Sequence, residues 1–144
     1  LRDVLLELFD HLEVLVANEE KIRTVLDRSG KPRELANSIA AEYDLETVVI
    51  TRSKHGAVAL QDTPGTNIIH ERESVDTDAI DESGQHGAFS GGFLARFAAD
   101  GDISEALSYG VATATLARTV PGALLTAEQS EIDRIADDVI EASR

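Results

Sequence analysis

The most informative stretch of this sequence covers residues 81–93 and reads Asp-Glu-Ser-Gly-Gln-His-Gly-Ala-Phe-Ser-Gly-Gly-Phe. Gly84 and Gly87 stand where a loop is predicted to enter a helix, because Phe89, Phe93 and Phe97 recur at helical spacing. The first N–H groups of a helix have no partner within it, and the helix dipole adds about half a positive charge there. Such a helix start attracts phosphate or a developing oxyanion. Tight turning and close helix packing are the alternative explanation for these glycines.

Two short apolar runs upstream predict strands that are buried on both faces, at residues 14–17 and 47–51. Between them, Asn18 is placed to cap one helix and Pro32 to open a second. The order strand, helices, strand predicts a parallel pair joined by a right-handed crossover. This part of the chain therefore reads as α/β.

The remaining elements extend that pattern. Residues 56–61 and 66–72, separated by a turn at 62–65, predict an antiparallel extension at one side of the sheet. Helices follow from Gly84, with capping-box patterns that begin at Asp102 and Thr126. The expectation is one α/β domain over residues 1–144, with a mostly parallel sheet, an antiparallel edge extension and a helical C-terminal third.

The composition excludes several classes of function. The chain has 144 residues, 27 of them acidic and 13 basic, and its net charge of −14 argues against nucleic-acid binding. No thiol chemistry is available because Cys is absent, and no apolar run approaches the roughly 20 residues of a membrane helix. We therefore expect a cytoplasmic protein. The chain begins with Leu1 and contains no Met, which predicts a trimmed product or a piece of a longer protein.

The balance of charged residues also predicts an origin in a salty cytoplasm. Lys occurs only at positions 21, 31 and 54, while acidic residues are abundant. At about 1 M salt the Debye length falls to roughly 3 Å, so a highly acidic surface barely repels itself. An ordinary acidic protein is the alternative interpretation.

Residues 81–93 resemble the second signature of the ribokinase-like (PfkB) carbohydrate kinases, in which Gly-Ala-Gly-Asp precedes an aromatic residue and a Gly-Gly-Phe-like run. Three further stretches, at 14–20, 48–56 and 112–123, resemble other motifs of that family in the same order. The resemblance covers the whole chain but only about the C-terminal half of a family member. It implies a three-layer αβα ribokinase-like fold in which the N-terminal, sugar-binding part is absent.

The resemblance also implies an activity, which is phosphoryl transfer from ATP to the hydroxyl of a sugar or sugar acid, with Mg²⁺ on the phosphates. Ribose, fructose and a keto-deoxy sugar acid are all open as substrates, and a haloarchaeal keto-deoxygluconate kinase is one candidate. The motif implies an anion hole, which here consists of Gly84, Gln85, His86 and Gly87.

The catalytic position departs from the family pattern. The family's catalytic base is the Asp of Gly-Ala-Gly-Asp, and Gly87 occupies that position here. A positioned base contributes about 10²–10⁴-fold to rate, so its loss slows transfer without abolishing nucleotide binding. An impaired kinase, or a module that only binds nucleotide or packs against a partner, is therefore the alternative function. His86 is a candidate replacement base, although a His at a helix start also serves simply as a local hydrogen-bonding group.

Further site residues are implied by the other motifs. Lys21 stands where the family has the Glu that organises magnesium, which leaves Glu20 or Glu19 as candidates for that role, with a weakened magnesium network as the alternative. Asp81 falls in a loop that the resemblance assigns to a monovalent cation such as K⁺, with backbone carbonyls as ligands. We also expect self-association through the surface left by the missing half. The candidates for nucleotide binding are Asn18, Thr51, Ser53, Gly56, Ala112, Thr115 and Val120.

Overall fold

The computed structural model describes residues 1–122 and 125–144, and these contain six α-helices, four β-strands and a short 3₁₀ turn at Ser53–His55. The strands are β1 (Val14–Asn18), β2 (Thr47–Thr51), β3 (Ala57–Thr63) and β4 (Thr66–Arg72). The helices are α1 (Arg2–Phe9), α2 (Glu19–Leu26), α3 (Pro32–Tyr43), α4 (Gln85–Asp100), α5 (Ile103–Arg118) and α6 (Gln129–Ala142).

The four strands form one mixed sheet in the order β1-β2-β3-β4. β1 and β2 are parallel, with Val14 opposite Thr47 and Asn18 opposite Thr51, as the crossover predicted. Only residues 52–56 separate β2 from β3, and only 64–65 separate β3 from β4. Connections this short join antiparallel neighbours, because a parallel pair needs a crossover of about a dozen residues. The predicted antiparallel extension is confirmed.

The described residues cluster into two compact units, and the first comprises residues 1–52 and 58–70. Its core is mostly aliphatic and includes Leu35, Ile39, Val48, Ile50 and Leu60, all nearly inaccessible to solvent. β2 is buried along its whole length, which explains its continuous apolar and β-branched sequence. The Asn18 side chain caps α2, as the sequence predicted.

The second unit comprises residues 53–57 and 71–144, and α4 and α5 pack closely within it. A Cβ atom on Gly92 would overlap the side chain of Thr113, so the helices approach through glycine. The rings of Phe89, Phe93 and Phe97 stack in sequence, with centroids 6.1 and 5.6 Å apart. Phe89 and Phe93 are buried, so the stripe belongs to the core.

The N-terminal cap of α5 lies where the sequence predicted it, and that of α6 does not. Asp102 caps α5, and its side chain accepts a hydrogen bond from the N–H of Glu105 at 3.1 Å. The second capping box lies two residues later than predicted, with Glu128 as the cap and Glu131 as its partner. Thr126 therefore precedes the helix without capping it. Within the described residues, no helix combines the length and apolarity needed to cross a bilayer.

Candidate functional site

The glycine-rich stretch forms the start of α4, as the sequence predicted. Gly84 is the N-cap residue, and Gln85 and His86 occupy the first helical positions. Gly87 follows in the same first turn, is exposed, and has open space where a side chain would stand. The helix start therefore presents backbone to solvent at the position where the family resemblance places a catalytic Asp.

The loop before α4 is joined to the loop after α5 through Asp81. One carboxylate oxygen of Asp81 accepts from the N–H of Ser83 at 2.9 Å, and the other from the N–H of Gly122 at 2.9 Å. Hydrogen bonds, first from Ser83 and then from the backbone of Gly122, lower the pKa of Asp81. Asp81 is thus held in its ionised form as an acceptor of backbone N–H groups.

Arg118, the last residue of α5, joins the same two loops. Its backbone carbonyl accepts hydrogen bonds from the N–H groups of Ile80 at 2.7 Å and Asp81 at 3.2 Å. Its side chain donates to the Gln85 side-chain oxygen at 3.2 Å and to the Ser74 hydroxyl at 2.6 Å. Main chain and side chain of one residue therefore hold the segment that leads into α4.

The guanidinium of Arg118 is an unusual group in this protein, because the residue is only 3% exposed. Its third hydrogen bond goes to the Thr115 hydroxyl at 3.4 Å, so these three hydrogen bonds within the described part of the chain all go to neutral oxygens. Burial lowers its pKa, and the charge of Glu82 opposes that change. Arginine stays protonated in proteins even when its pKa falls, so a positive charge is buried here.

Sequence reasoning did not single out Arg118 as a site residue. The one signal was its place in the helical run Ala-Thr-Leu-Ala-Arg, where a charged residue follows small and apolar ones. Arginine at a helix C-terminus has an ordinary explanation in the helix dipole, so the sequence did not distinguish a buried Arg from an exposed one.

A cleft of about 210 Å³ opens beside this buried charge. Its basic groups come from Arg118, Lys54 and His55, and its acidic groups from Asp76 and Glu82. Ser53 begins the 3₁₀ turn that carries Lys54 and His55, with a left-handed φ of 52°. The remaining walls are formed by Val75, Thr77 and Ala79.

Gly56, a predicted nucleotide-binding residue, closes the loop after that turn. Its φ is +96°, and a Cβ atom would overlap the backbone carbonyl of Arg72. Glycine is therefore required there by close packing, whatever the loop binds.

In the first unit, Asn18 and Thr51 lie opposite each other at the carboxyl ends of β1 and β2. The side-chain oxygen of Asn18 accepts from the N–H groups of Glu20 at 3.1 Å and Lys21 at 3.3 Å. The hydroxyl of Thr51 donates to the Ala17 carbonyl at 3.4 Å. The sheet thus brings the two predicted residues together, and each also has a local structural role.

A charged cluster that the sequence did not predict lies at the same end of these strands. The Glu19 carboxylate accepts from Arg23 at 2.7 Å, and its second oxygen lies 3.7 Å from the Arg52 Nε. The Nε atom of Arg52 is buried and has no hydrogen-bond partner. Arg52 is thus held by an ion pair beside the strand ends.

The predicted adenine-binding residues are embedded in the second unit to different degrees. Ala112 and Thr115 are fully buried in α5, and the Thr115 hydroxyl donates to the Val111 carbonyl at 2.8 Å. Val120 is half-buried. Ala123, the last residue of that predicted motif, lies outside the described residues.

The described side chains do not assemble a metal site of their own. Over residues 1–122 and 125–144, no group of three or more His, Asp or Glu residues is arranged to hold a metal ion. Glu20 is a single exposed carboxylate, and both oxygens of Asp81 already accept N–H groups. A magnesium ion would therefore depend on nucleotide phosphates for most of its ligands, as is usual for this ion.

Comparison with known proteins finds a relative that covers most of this chain. A 2-dehydro-3-deoxygalactonokinase of Haloferax volcanii is 42% identical over 134 residues, which are 93% of this chain and 41% of that protein. The chain thus spans less than half the length of this relative.

Two solved structures show the same fold. An Escherichia coli protein described as ribokinase II, in complex with ATP and Mg²⁺, has a TM-score of 0.81 at 21% identity, covering 95% of this chain and 43% of that one. Phosphofructokinase-2 from Escherichia coli in complex with potassium has a TM-score of 0.80 at 16% identity, covering 94% and 44%. Residues 1–130 match the family described as pfkB family carbohydrate kinase. The chain therefore belongs to the pfkB family of carbohydrate kinases, as its motifs predicted.

Proposed function

We propose that this chain is the nucleotide-binding part of an ATP-dependent kinase that phosphorylates a hydroxyl group of a keto-deoxy sugar acid. The observation that carries the substrate class is the 42% identity with the Haloferax volcanii 2-dehydro-3-deoxygalactonokinase. Because the chain spans 41% of that relative, we propose that the sugar-binding part belongs to a preceding region. The complete enzyme would work in the cytoplasm of a salt-loving cell.

The second unit has the features that a phosphate-binding region needs. The start of α4 offers backbone N–H groups, and the cleft nearby holds the positive charges of Lys54 and Arg118 beside the carboxylates of Asp76 and Glu82. With a net charge of −14, the chain as a whole repels nucleotide, so such local donors must supply the attraction. The ATP and Mg²⁺ in the ribokinase II structure support the same pair of ligands here.

The chemistry follows from this arrangement. Phosphoryl transfer depends mostly on positioning and on electrostatic stabilisation of the phosphate oxygens. Magnesium, when bound with ATP, neutralises charge on those oxygens. The first turn of α4 then orients the transferred group through its N–H groups. On the nucleotide side, Asn18, Thr51, Ser53 and Gly56 are proposed to lie near the phosphates and ribose, and Ala112, Thr115 and Val120 near the base.

The activity is tested on the protein that contains this chain together with its sugar-binding part. ADP release is measured with 2-dehydro-3-deoxygalactonate, 2-dehydro-3-deoxygluconate, ribose and fructose at equal concentrations. We expect kcat/KM for one of the two sugar acids to exceed that for either neutral sugar by about 10²-fold or more, because a site built for a carboxylate leaves charged groups unpaired without it. Comparable turnover of ribose or fructose contradicts the proposed substrate class.

A second candidate function is a nucleotide-binding module that transfers phosphate slowly or not at all. The observation that favours it is Gly87, which places no side chain where the family pattern has its catalytic Asp. Restoring that Asp is expected to raise kcat by about 10²–10⁴-fold if the base is the missing element. A Cβ atom added at Gly87 would meet no neighbouring atom within 4 Å, so the backbone there accepts a side chain.

The matched control is Gly91→Asp, one turn further along α4. Gly91 is also exposed and also has open space around it, so the substitution adds the same charge to the same helix. A gain specific to Gly87→Asp identifies the native protein as an impaired kinase. Fast turnover by the unchanged protein points instead to another base, and loss of activity in His86→Gln would assign that role to His86.

Self-association of the isolated chain is a further part of the proposal. α1 and its N-cap residue expose Leu1, Val4 and Leu8 at 91%, 59% and 51%, and their spacing places them on one face. β1 also lies at an edge of the sheet, and edge strands invite pairing. Sedimentation velocity should show concentration-dependent oligomers that Leu8→Glu weakens. A chain that stays monomeric at all concentrations contradicts this expectation.

A further inference from the structure

One side of α4 is exposed and apolar along most of the helix. Gly87, Gly91, Leu94, Ala95 and Ala98 are all exposed, and Leu94 keeps 47% of its surface accessible. Their spacing places them on one side of the helix, within about 100° of each other. These five residues, here called the α4 face, have no charged or hydrogen-bonding side chain, in a chain of which 28% of the residues are charged.

The charged side chains of α4 lie on a different side of the helix. The Arg96 guanidinium lies 3.2 Å from the Asp100 carboxylate and 2.5 Å from that of Glu105 on α5. Its central carbon lies 5.3 Å from the centre of the Tyr109 ring, also on α5. α4 therefore directs its positive charge toward α5 and leaves the α4 face to solvent. An apolar helix face of this width is typical of a surface that packs against another element.

A groove of about 510 Å³ runs beside the α4 face. Its α4 wall includes two glycines of that face, and its other described walls include Leu125, Ala127 and Ile132. Among the described residues that line it, only Thr113 has a polar side chain, and that hydroxyl already hydrogen-bonds to the Ala88 carbonyl at 2.9 Å. Because the α4 wall is made of small residues, a second helix can approach closely and place larger apolar side chains in the groove.

The α4 face begins at the position where a transferred phosphoryl group would meet its acceptor. The proposed function puts the phosphate at the N–H groups of the first turn of α4, and the reacting atoms must then lie about 3–3.5 Å apart. The part of the protein that holds the sugar must therefore reach the end of α4 that contains Gly87. The matched residues make up 41% of the Haloferax volcanii relative, so more than half of a protein of that length remains to build such a part.

We propose that the α4 face is the docking surface for the sugar-binding part of the same protein, which covers it with apolar side chains and so holds the sugar hydroxyl at the start of α4. This inference rests on the proposed function and adds to it the surface through which the two parts meet. The residues involved differ from the α1 side chains that are proposed for self-association.

Because this chain contains no Cys, the proposal can be tested with single cysteines. Ala98→Cys places a thiol in the α4 face, and Ala142→Cys, at the exposed end of α6, is the matched control. Alkylation by N-ethylmaleimide is followed by peptide mass spectrometry in the isolated chain and in the protein that also contains the sugar-binding part. We expect Ala98→Cys to react about tenfold or more slowly in the complete protein, because docking buries the thiol, and Ala142→Cys to react within about twofold in both.

Two labelling results overturn the proposal. One is equal reactivity of Ala98→Cys in the isolated chain and in the complete protein. The other is protection that grows with the concentration of the complete protein, which identifies a second copy as the occupant of the α4 face.

A stability measurement carries the test if Ala98→Cys does not fold. Leu94→Gln exchanges an exposed apolar side chain for a polar one of similar size, so it should change the Tm of the isolated chain by no more than about 1 °C. In the complete protein the same substitution buries a polar amide against apolar surface and should lower the Tm by about 2 °C or more. Equal changes of Tm in the two proteins overturn the proposal.

The proposed function can fail separately from this inference. If the complete protein transfers no phosphate to a sugar acid, the proposed function fails, and the labelling of Ala98→Cys still decides whether the α4 face is covered. If the complete protein is active and Ala98→Cys is unprotected, this inference alone is wrong.

Discussion

The carboxylate of Asp81 accepts a hydrogen bond from the backbone N–H of Gly122 at 2.9 Å, and this contact joins the loop before α4 to the loop after α5. The two residues lie 41 positions apart in the chain, in stretches that belong to separate sequence motifs. The second oxygen of Asp81 accepts from Ser83 and orders the approach to the helix start. One side chain therefore couples the turn that leads into α4 to the loop at the end of its neighbouring helix.

This contact predicts a pH dependence of stability. Hydrogen bonding lowers the pKa of Asp81 in the folded chain, so its contribution is present above the unfolded value of about 3.9 and is lost as the pH falls through the lower folded value. Asp81→Asn should therefore be less stable than the unchanged chain at pH 7, and the difference should shrink in acid. Urea unfolding at a series of pH values measures it.

The control for that experiment is Asp137→Asn, an exposed acid on α6 that is remote in sequence from both loops. It removes the same charge without disturbing the loop contacts. A difference between Asp81→Asn and the unchanged chain that is constant from pH 7 to acid contradicts the role assigned to the ionised carboxylate.

Two adjacent glycines of α4 should respond in opposite ways to the same substitution. Gly92→Ala places a methyl group against Thr113, whose hydroxyl hydrogen-bonds to the Ala88 carbonyl at 2.9 Å, so we expect a loss of about 1–3 kcal/mol. Gly91→Ala meets no neighbour and should gain about 0.5–1 kcal/mol from helix propensity. The free energy of unfolding in urea separates them. Equal effects of the two substitutions would show that α4 and α5 do not pack as described.

A second glycine pair tests the close packing of the loop at Gly56. Gly56 and Gly65 both have positive φ, +96° and +82°, so Ala strains the backbone at each. Only at Gly56 does the new methyl group also overlap a backbone carbonyl, that of Arg72. We expect Gly56→Ala to cost about 3 kcal/mol or more and Gly65→Ala about 1–2 kcal/mol. Similar Tm values for the two variants would contradict the close packing at Gly56.

The acidic composition predicts a dependence on salt. A net charge of −14 repels itself at low ionic strength, and salt at about 1 M shortens the Debye length to roughly 3 Å. The Tm should therefore rise steadily from low to molar KCl. A variant with Asp3→Lys and Asp137→Lys, both at exposed positions, should show a smaller increase in Tm over the same range of KCl. A Tm that does not increase with KCl removes the argument for adaptation to salt.

Features that depend on neighbouring residues were predictable from the sequence, whereas features that depend on contacts between distant residues were not. Several local features were predictable because each depends on residues that are neighbours in the chain. These are the strands at 14–18 and 47–51, the cap at Asp102 and the start of α4 at Gly84. The role of Asn18 was only partly predictable. The sequence suggested both a cap and a ligand, and the structure shows the side-chain oxygen occupied by the N–H groups of α2.

What the sequence determined by itself was the α/β order, the glycine-rich helix start and the family, together with the missing carboxylate at Gly87. Periodicity, caps and motifs involve residues that are close together in the chain, so the amino-acid sequence alone shows them. Only the tertiary structure decided that Arg118 is buried and that it contacts Gln85 and Ser74, which lie 33 and 44 residues away. The burial of a charge depends on which distant groups surround it, and the order of residues alone does not record that arrangement.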